Sequence, residues 1–590
     1  MPPMIRRAVL LALLTAATSV HAAADTLRTV AEQSGFKRTG RYDEVVDLCA
    51  RFAKGWPDAV RCDEFGRTPE GRPMIAIVAT TSGARTPEAA HEKGIPVTLF
   101  QGGIHAGEID GKDAGFLLLR ELLQGKTGAG LLDKQVMVFV PVFNVDGHER
   151  FAAWNRPNQR GPEQMGWRTT AQNYNLNRDY LKADAPEMRA MLALMNRWDP
   201  TVYVDLHVTD GAKFEHDVAV MVEPVYSGDE ELRKLGRELR DGTIARLTKQ
   251  GSLPVSFYPA FVVTDDPASG FADAVAPPRF STGYVPLRNR FAVLVETHSW
   301  KPYPTRVKIT RNTLLDVMQL VGERGRDWRA EQLTADERAA TLGGTRVALD
   351  YRATDKAREI EFRGYAYTRA PSEISGALMT RYDERKPQVW KVPLRDDVQP
   401  TVLVEAPKAG YLVPVAWADA VAARLDAHGV AYKRLTDPLT RLPLQTFRAT
   451  KATLAGESVE SHQRATLEGA WSSETRDLAA GALYVPLAQA RSRIAVALLE
   501  PQAPDSLAAW GWFNNAFEQK EYMEEYVAED VAREQLKRDP ALAAEFQRRL
   551  ATDAEFVRSP AARLQFFARR HASWDEQMNL YPVFRIDRAP

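Results

Sequence analysis

Five stretches of this chain are apolar on consecutive positions, and that limits its fold more than any other feature. They are "MIAIVAT" (74–80), "VTLFQGG" (97–103), "QVMVFVPVF" (135–143), "TVYVDLH" (201–207) and "FAVLVETH" (291–298). A strand with one face in water alternates polar and apolar residues; these runs do not, so they predict strands covered on both faces. Helix-length segments lie between them, among them "KDAGFLLLRELLQG" (112–125) and "APEMRAMLALMNRW" (185–198). The alternation predicts an α/β domain over residues 25–340, with a mostly parallel or mixed sheet flanked by helices.

At 590 residues the chain is too long for one ordinary core. From residue 345 the texture changes: "REIEFRGYAYTR" and "PQVWKVPL" alternate at strand spacing, so 345–500 reads as a β-rich accessory region. Residues 501–590 read as helices, and the charged segment 323–344 as a helical exit and linker.

The 77 basic residues balance 77 acidic ones, which gives no reason to expect nucleic acid or an anionic membrane as partner. Arg6 and Arg7 precede an apolar run from Ala8 to about Ala17, followed by Ala-x-Ala-like sites near Ala22 and Ala24. The run is shorter than the ~20 residues a membrane span needs, so residues 1–24 read as a removable signal peptide for a periplasmic or secreted protein, with no stable anchor afterwards. In an exported chain, Cys49 and Cys62 are expected to form a local disulfide, the alternative being two buried thiols.

The polar residues that close these strands carry the chemistry. Two glycines follow "VTLFQ", and then His105 and Glu108 stand three apart with only small residues between them. Ligands in open α/β sheets bind beyond the carboxyl ends of the strands, and an imidazole with a carboxylate suits zinc. His207 ends a second strand; a His, Glu, His set leaves the fourth tetrahedral position for water, as catalytic zinc requires. His216 and His298 compete for the third place. Glu296 follows an apolar run, where a carboxylate is costly without a task, and beside zinc it suits a general base. In "LNRDY", Asn177 and Arg178 offer adjacent amide and guanidinium donors suited to gripping a carboxylate.

In this order the motifs "GRTPEGRPM", "HAGE", "FNVDG", "LNRDY", "DLH" and "VLVETHS" resemble those of the zinc carboxypeptidase family, the carboxypeptidase A-like metallocarboxypeptidases, over about residues 40–320. The resemblance implies a carboxypeptidase-like fold and one Zn2+ held by His105, Glu108 and His207. It further implies Glu296 as general base, and Asn177 and Arg178 on the terminal carboxylate of a peptide or peptide-like substrate. It implies an oxyanion-stabilising arginine among Arg156, Arg160 and Arg168, with Arg168 favoured by its "GWR" setting, and a tyrosine closing over substrate, for which Tyr284 is the candidate. Two positions depart from the pattern: Asn175 stands where the family has an Asp that orients a zinc histidine, and Val145 replaces the proline of its Asn-Pro-Asp-Gly turn.

The expected activity is that of an exported zinc metallocarboxypeptidase. A zinc amidase or endopeptidase acting on cell-wall peptides or acylated amino acids is the alternative with the same metal site. A metal-containing binding protein is the alternative without catalysis, although a binder has no need of a base such as Glu296.

Overall fold

The computed structural model describes residues 27–590; the segment read as a signal peptide lies outside them. The strands of the first region are β1 Val60–Arg67, β2 Pro73–Ala79, β3 Val97–Gln101, β4 Val136–Val140, β5 Val202–Thr209, β6 Val218–Glu223, β7 Pro254–Val255, β8 Phe271–Ala272 and β9 Phe291–His298. All but β8 form one sheet in the order β1-β2-β4-β3-β5-β9-β6-β7. The centre, β4-β3-β5-β9, is parallel, whereas β1, β2 and β6 meet their inner neighbours antiparallel. Every residue of β3, β4 and β5 is buried, as consecutive apolar positions require.

Helix Asp110–Leu123 leaves the end of β3 and packs on helix Tyr303–Ala339, which also packs on helix Glu230–Lys249. Cys49 on helix Tyr42–Gly55 is disulfide-bonded to Cys62 on β1, their Cα atoms 5.8 Å apart. The charged segment expected to be a helical exit and linker is helical as expected, forming the second half of the 37-residue helix Tyr303–Ala339, but it packs into the core. Its charges conceal an inner stripe of Trp328, Gln332 and Ala335, all buried, and Arg290 ties Asp336 to Asp199.

The accessory region is rich in long hairpins. Arg358–Pro371 pairs with Leu378–Arg395, whose end pairs with β8 and brings Phe362 and Trp390 into a cluster with Phe214, Phe257 and Phe271. Leu439–Val459 pairs with His462–Leu478 within a second, six-stranded sheet. Residues 501–590 include several helices, among them Glu525–Arg538, Pro540–Thr552 and Pro560–Ala568, and end in the strand Phe584–Ile586. That strand enters the six-stranded sheet between Gly410–Val413 and Leu439–Val459. Leu507, Phe513, Tyr581 and Val583 also belong to the same core cluster as β3, β5 and β9, so no break in the core falls at residue 500.

Candidate metal centre and active site

The site forms where β3, β5 and β9 end side by side. The chain leaves β3 through Gly102 and Gly103. A Cβ on Gly102 would lie 2.7 Å from the Pro141 carbonyl oxygen, and Gly103 has φ +62°, so both positions favour glycine. The turn carries His105 and Glu108 back over the sheet edge. Strand register then brings His207 of β5 directly opposite Glu296 of β9.

His105, Glu108 and His207 are buried, with one ligand atom from each lying within 4.8 Å of the others. His105 Nδ1 is 3.0 Å from Glu108 Oε1, and His207 Nδ1 is 3.0 Å from Glu108 Oε2. An oxygen stands behind each outward ring nitrogen: Asn175 Oδ1 is hydrogen-bonded to His105 Nε2 at 3.1 Å, and Asp205 Oδ1 lies 3.1 Å from His207 Nε2, within ion-pair distance but outside hydrogen-bond geometry. Each imidazole thus aims Nδ1 at Glu108 with an oxygen behind its other nitrogen, close to the arrangement that orients a metal-binding histidine. Asp205 is itself held by Gln101 Nε2 at 2.8 Å and Ser281 Oγ at 2.6 Å.

The electrostatics also fit a cation. Three buried carboxylates, Glu108, Asp205 and Glu296, crowd around the two imidazoles. Burial pushes the Glu296 carboxyl up to about 8, with Glu108 and Asp205 adding to the rise against the opposing pull of His207 and Arg156. Burial disfavours charge on His207, but Asp205, Glu296 and Glu108 outweigh it and raise its pKa well above the usual value. His105, where burial dominates, falls to about 4. These shifts record an excess of negative charge around the two imidazoles, a setting that would suit a bound dication.

The three arginines differ in what they touch. Arg156 is buried, with Nη1 3.0 Å from Glu108 Oε1 and Nη2 bonded to the Val208 carbonyl and Asp210. Arg160 pairs with Glu384 and lies over Trp300. Arg168 borders the cavity beside the metal donors, 3.5 Å from Glu108 Oε1 and 37% exposed, and thus accessible to a substrate oxygen.

That cavity, about 500 Å3, is lined near the metal donors by Arg168, Asn177, Arg178, Tyr258 and Glu296. Arg178 makes no ion pair among the described residues; its guanidinium lies 4.4 Å over the Phe280 ring and donates to the Asn177 carbonyl at 2.7 Å. Burial, then Arg168 and Arg279, lower its pKa, the electrostatic signature of a site short of negative charge. Along β6 and β9 the cavity continues past Leu294 and Met221, which face each other in register.

Tyr284 does not line this cavity. It is fully buried, its hydroxyl 2.9 Å from His428 Nδ1 and its ring against Tyr180. It lies in the helical turn Ser281–Tyr284, where Ser281 and Thr282 border the cavity and Tyr284 turns into the core. Two tyrosines line the cavity, Tyr226 and Tyr258; Tyr258 is 44% exposed, and its hydroxyl accepts from Thr209 Oγ1 at 3.2 Å. His216 and His298 do not join the His105, Glu108 and His207 cluster: His298 stacks on Phe214, and His216 lies tilted against Phe362.

The family model for zinc carboxypeptidases matches residues 45–242, which include His105, Glu108, His207, Asn177 and Arg178. Carboxypeptidase 2 of Trichophyton tonsurans is 23% identical over 75% of this chain and 79% of its own length, and that of Trichophyton rubrum is 24% identical over the same shares. Among solved structures, carboxypeptidase A from Helicoverpa armigera aligns at 16% identity over 50% of this chain and 75% of that one, with a TM-score of 0.36. The family match is to the zinc carboxypeptidases over residues 45–242, and the chain is a peptide hydrolase with Zn2+ as its cofactor.

Proposed function

We propose that this protein removes C-terminal residues from peptides bearing a free terminal carboxylate, with Glu296 as general base, and that it acts outside the cytoplasm. The observation that carries the reading is the pairing of His207 with Glu296 at a cavity that also receives Asn177 and an Arg178 without a carboxylate partner. His105, Glu108 and His207 hold zinc, which when bound acts as a Lewis acid toward water and the scissile carbonyl.

Asn177 and Arg178 take the substrate carboxylate and fix the last peptide bond near Glu296. Glu296 removes a proton from the attacking water and delivers one to the departing amine as the C–N bond breaks. Arg168 faces the carbonyl oxygen, where negative charge grows. The Cys49–Cys62 disulfide and the Arg-led, Ala-rich N-terminal segment support export. Among the described residues no helix is long and apolar enough to cross a membrane.

A panel of blocked dipeptides with free C-termini, their amides, acylamino acids and muropeptides, assayed with and without chelator, tests the proposal. Chelator-sensitive cleavage restricted to free carboxylates is expected. Equal cleavage of the amides would transfer the reading to an amidase or endopeptidase.

A further inference from the structure

The loop that presents Asn177 and Arg178 is not held by the first region alone. At the tip of hairpin Leu439–Leu478, Val459 pairs with His462, leaving a two-residue turn of Glu460 and Ser461. Both have positive φ, 49° and 67°. Turns of this form favour Asn-Gly, because L residues with a Cβ resist the left-handed region. A strained turn persists where its surroundings hold it, and such turns gather at functional sites.

Here the surroundings are the substrate loop. Glu460 Oε2 accepts the Asn175 backbone N–H at 3.0 Å. The side-chain oxygen of Asn175 in turn accepts the Asn177 N–H at 3.1 Å and lies 3.1 Å from Nε2 of the metal donor His105. The far end of the loop is fastened by the same region: Asp184 bonds His462 Nε2 at 2.7 Å and Arg424 Nη2 at 2.9 Å, and His428 Nε2 lies 2.8 Å from the Leu181 carbonyl oxygen. Segment 175–184 is thus anchored at both ends by residues some 240 to 285 positions away in sequence.

We propose that hairpin Leu439–Leu478 is a working part of the substrate site, and that Glu460 is the positioning residue that holds the Asn175–Arg178 turn so that Asn177 and Arg178 meet a terminal carboxylate. The inference rests on the carboxypeptidase reading above and gives the accessory region a role within it. Glu460 touches no reacting atom; it acts through Asn175, so its removal should weaken substrate capture more than chemistry.

The test uses the full zinc-loaded protein, a blocked dipeptide with a free C-terminus and its amide. Glu460→Ala should raise KM for the free acid about tenfold while kcat stays within about threefold, since small displacements of positioning groups are felt strongly. Glu460→Gln, which keeps an acceptor oxygen for the Asn175 N–H, should recover most of that loss. Replacing Glu460–Ser461 by Asn-Gly separates structure from function: the turn becomes easier to form, so the melting temperature should hold or rise while KM still increases. Unchanged KM in both Glu460→Ala and the Asn-Gly variant, with a wild type that prefers free acids, overturns the inference alone. A wild type indifferent to amidation removes the carboxypeptidase reading and this inference with it.

Discussion

Adjacent residues on β9 point into two different buried polar environments. Thr297 faces Asp110, whose carboxylate is saturated: Arg306 reaches it through Nε at 2.9 Å and Nη2 at 3.2 Å, and Thr297 Oγ1 donates at 2.9 Å. Glu296 faces the metal donors, and its Oε2 has no hydrogen-bond partner among the described residues. Both carboxylates are at least 94% buried. The difference supports the proposed division of roles: a buried carboxylate with a full complement of donors fixes the sheet to its helices, whereas one left short of donors is suited to the base assigned to Glu296 above.

The largest expected effect breaks the functional side of this pair. Glu296→Gln keeps shape and reach but removes the basic oxygen, so kcat should fall by about 10^4 or more while zinc content and melting temperature persist. A zinc-loaded, stable variant with near-normal kcat would remove Glu296 from the proton steps. The opposite side should break differently. Arg306→Met leaves Asp110 buried without its cation, which costs about 3–5 kcal/mol in unfolding free energy. The double variant Asp110→Leu/Arg306→Met should recover part of that loss, because no orphaned charge remains. Denaturant titration measures both, and equal destabilisation by single and double variants would mean that packing, not charge, dominates there.

The same contrast explains what could be read from the chain. Consecutive apolar runs revealed the sheet because burial on both faces leaves no polar positions, and the polar residues following those runs are the ones that the fold gathers: His105, Glu108, His207 and Glu296. Tyr284 misled because distance along the chain cannot say which side of a helical turn faces a cavity; Tyr258, further upstream, does. Asp205 carried an unused signal, a carboxylate inside the otherwise apolar "TVYVDLH", a position that requires a partner. The strand Phe584–Ile586 is too short for any periodicity, and the contact of Glu460 with Asn175 joins residues 285 apart, a separation no local pattern encodes.

Asp205 sharpens the comparison within the metal site. It places a carboxylate behind His207, while His105 has only the neutral amide of Asn175. Asp205→Asn should weaken zinc binding by about 10–100-fold, measured by competition with a chelator, because the support that orients the imidazole loses its charge. Adding Asn175→Asp should restore part of the affinity by moving the carboxylate behind the other histidine. Unaltered zinc affinity in Asp205→Asn would make Asp205 a structural residue of the Gln101–Ser281 network.

The smallest effect concerns Asp184, a saturated carboxylate at the junction of the two regions. Burial would raise its pKa, but His462 and Lys182 outweigh burial and bring it down to about 2, and Arg424 makes a further ion pair. An unfolded aspartate titrates near 3.9, so the folded state binds this proton less tightly than the unfolded state does. The resulting stabilisation is fully present above about pH 4 and is lost as the pH falls toward 2, amounting to about 2 kcal/mol. Other carboxylates titrate in the same window, so the informative quantity is the difference in unfolding free energy between wild type and Asp184→Asn. That difference should shrink by about 2 kcal/mol between pH 5 and pH 2, with kcat on free-acid peptides at neutral pH nearly unchanged. A difference independent of pH would mean that Asp184 holds the substrate loop through hydrogen bonds that the amide reproduces, and that its charge contributes nothing to the junction.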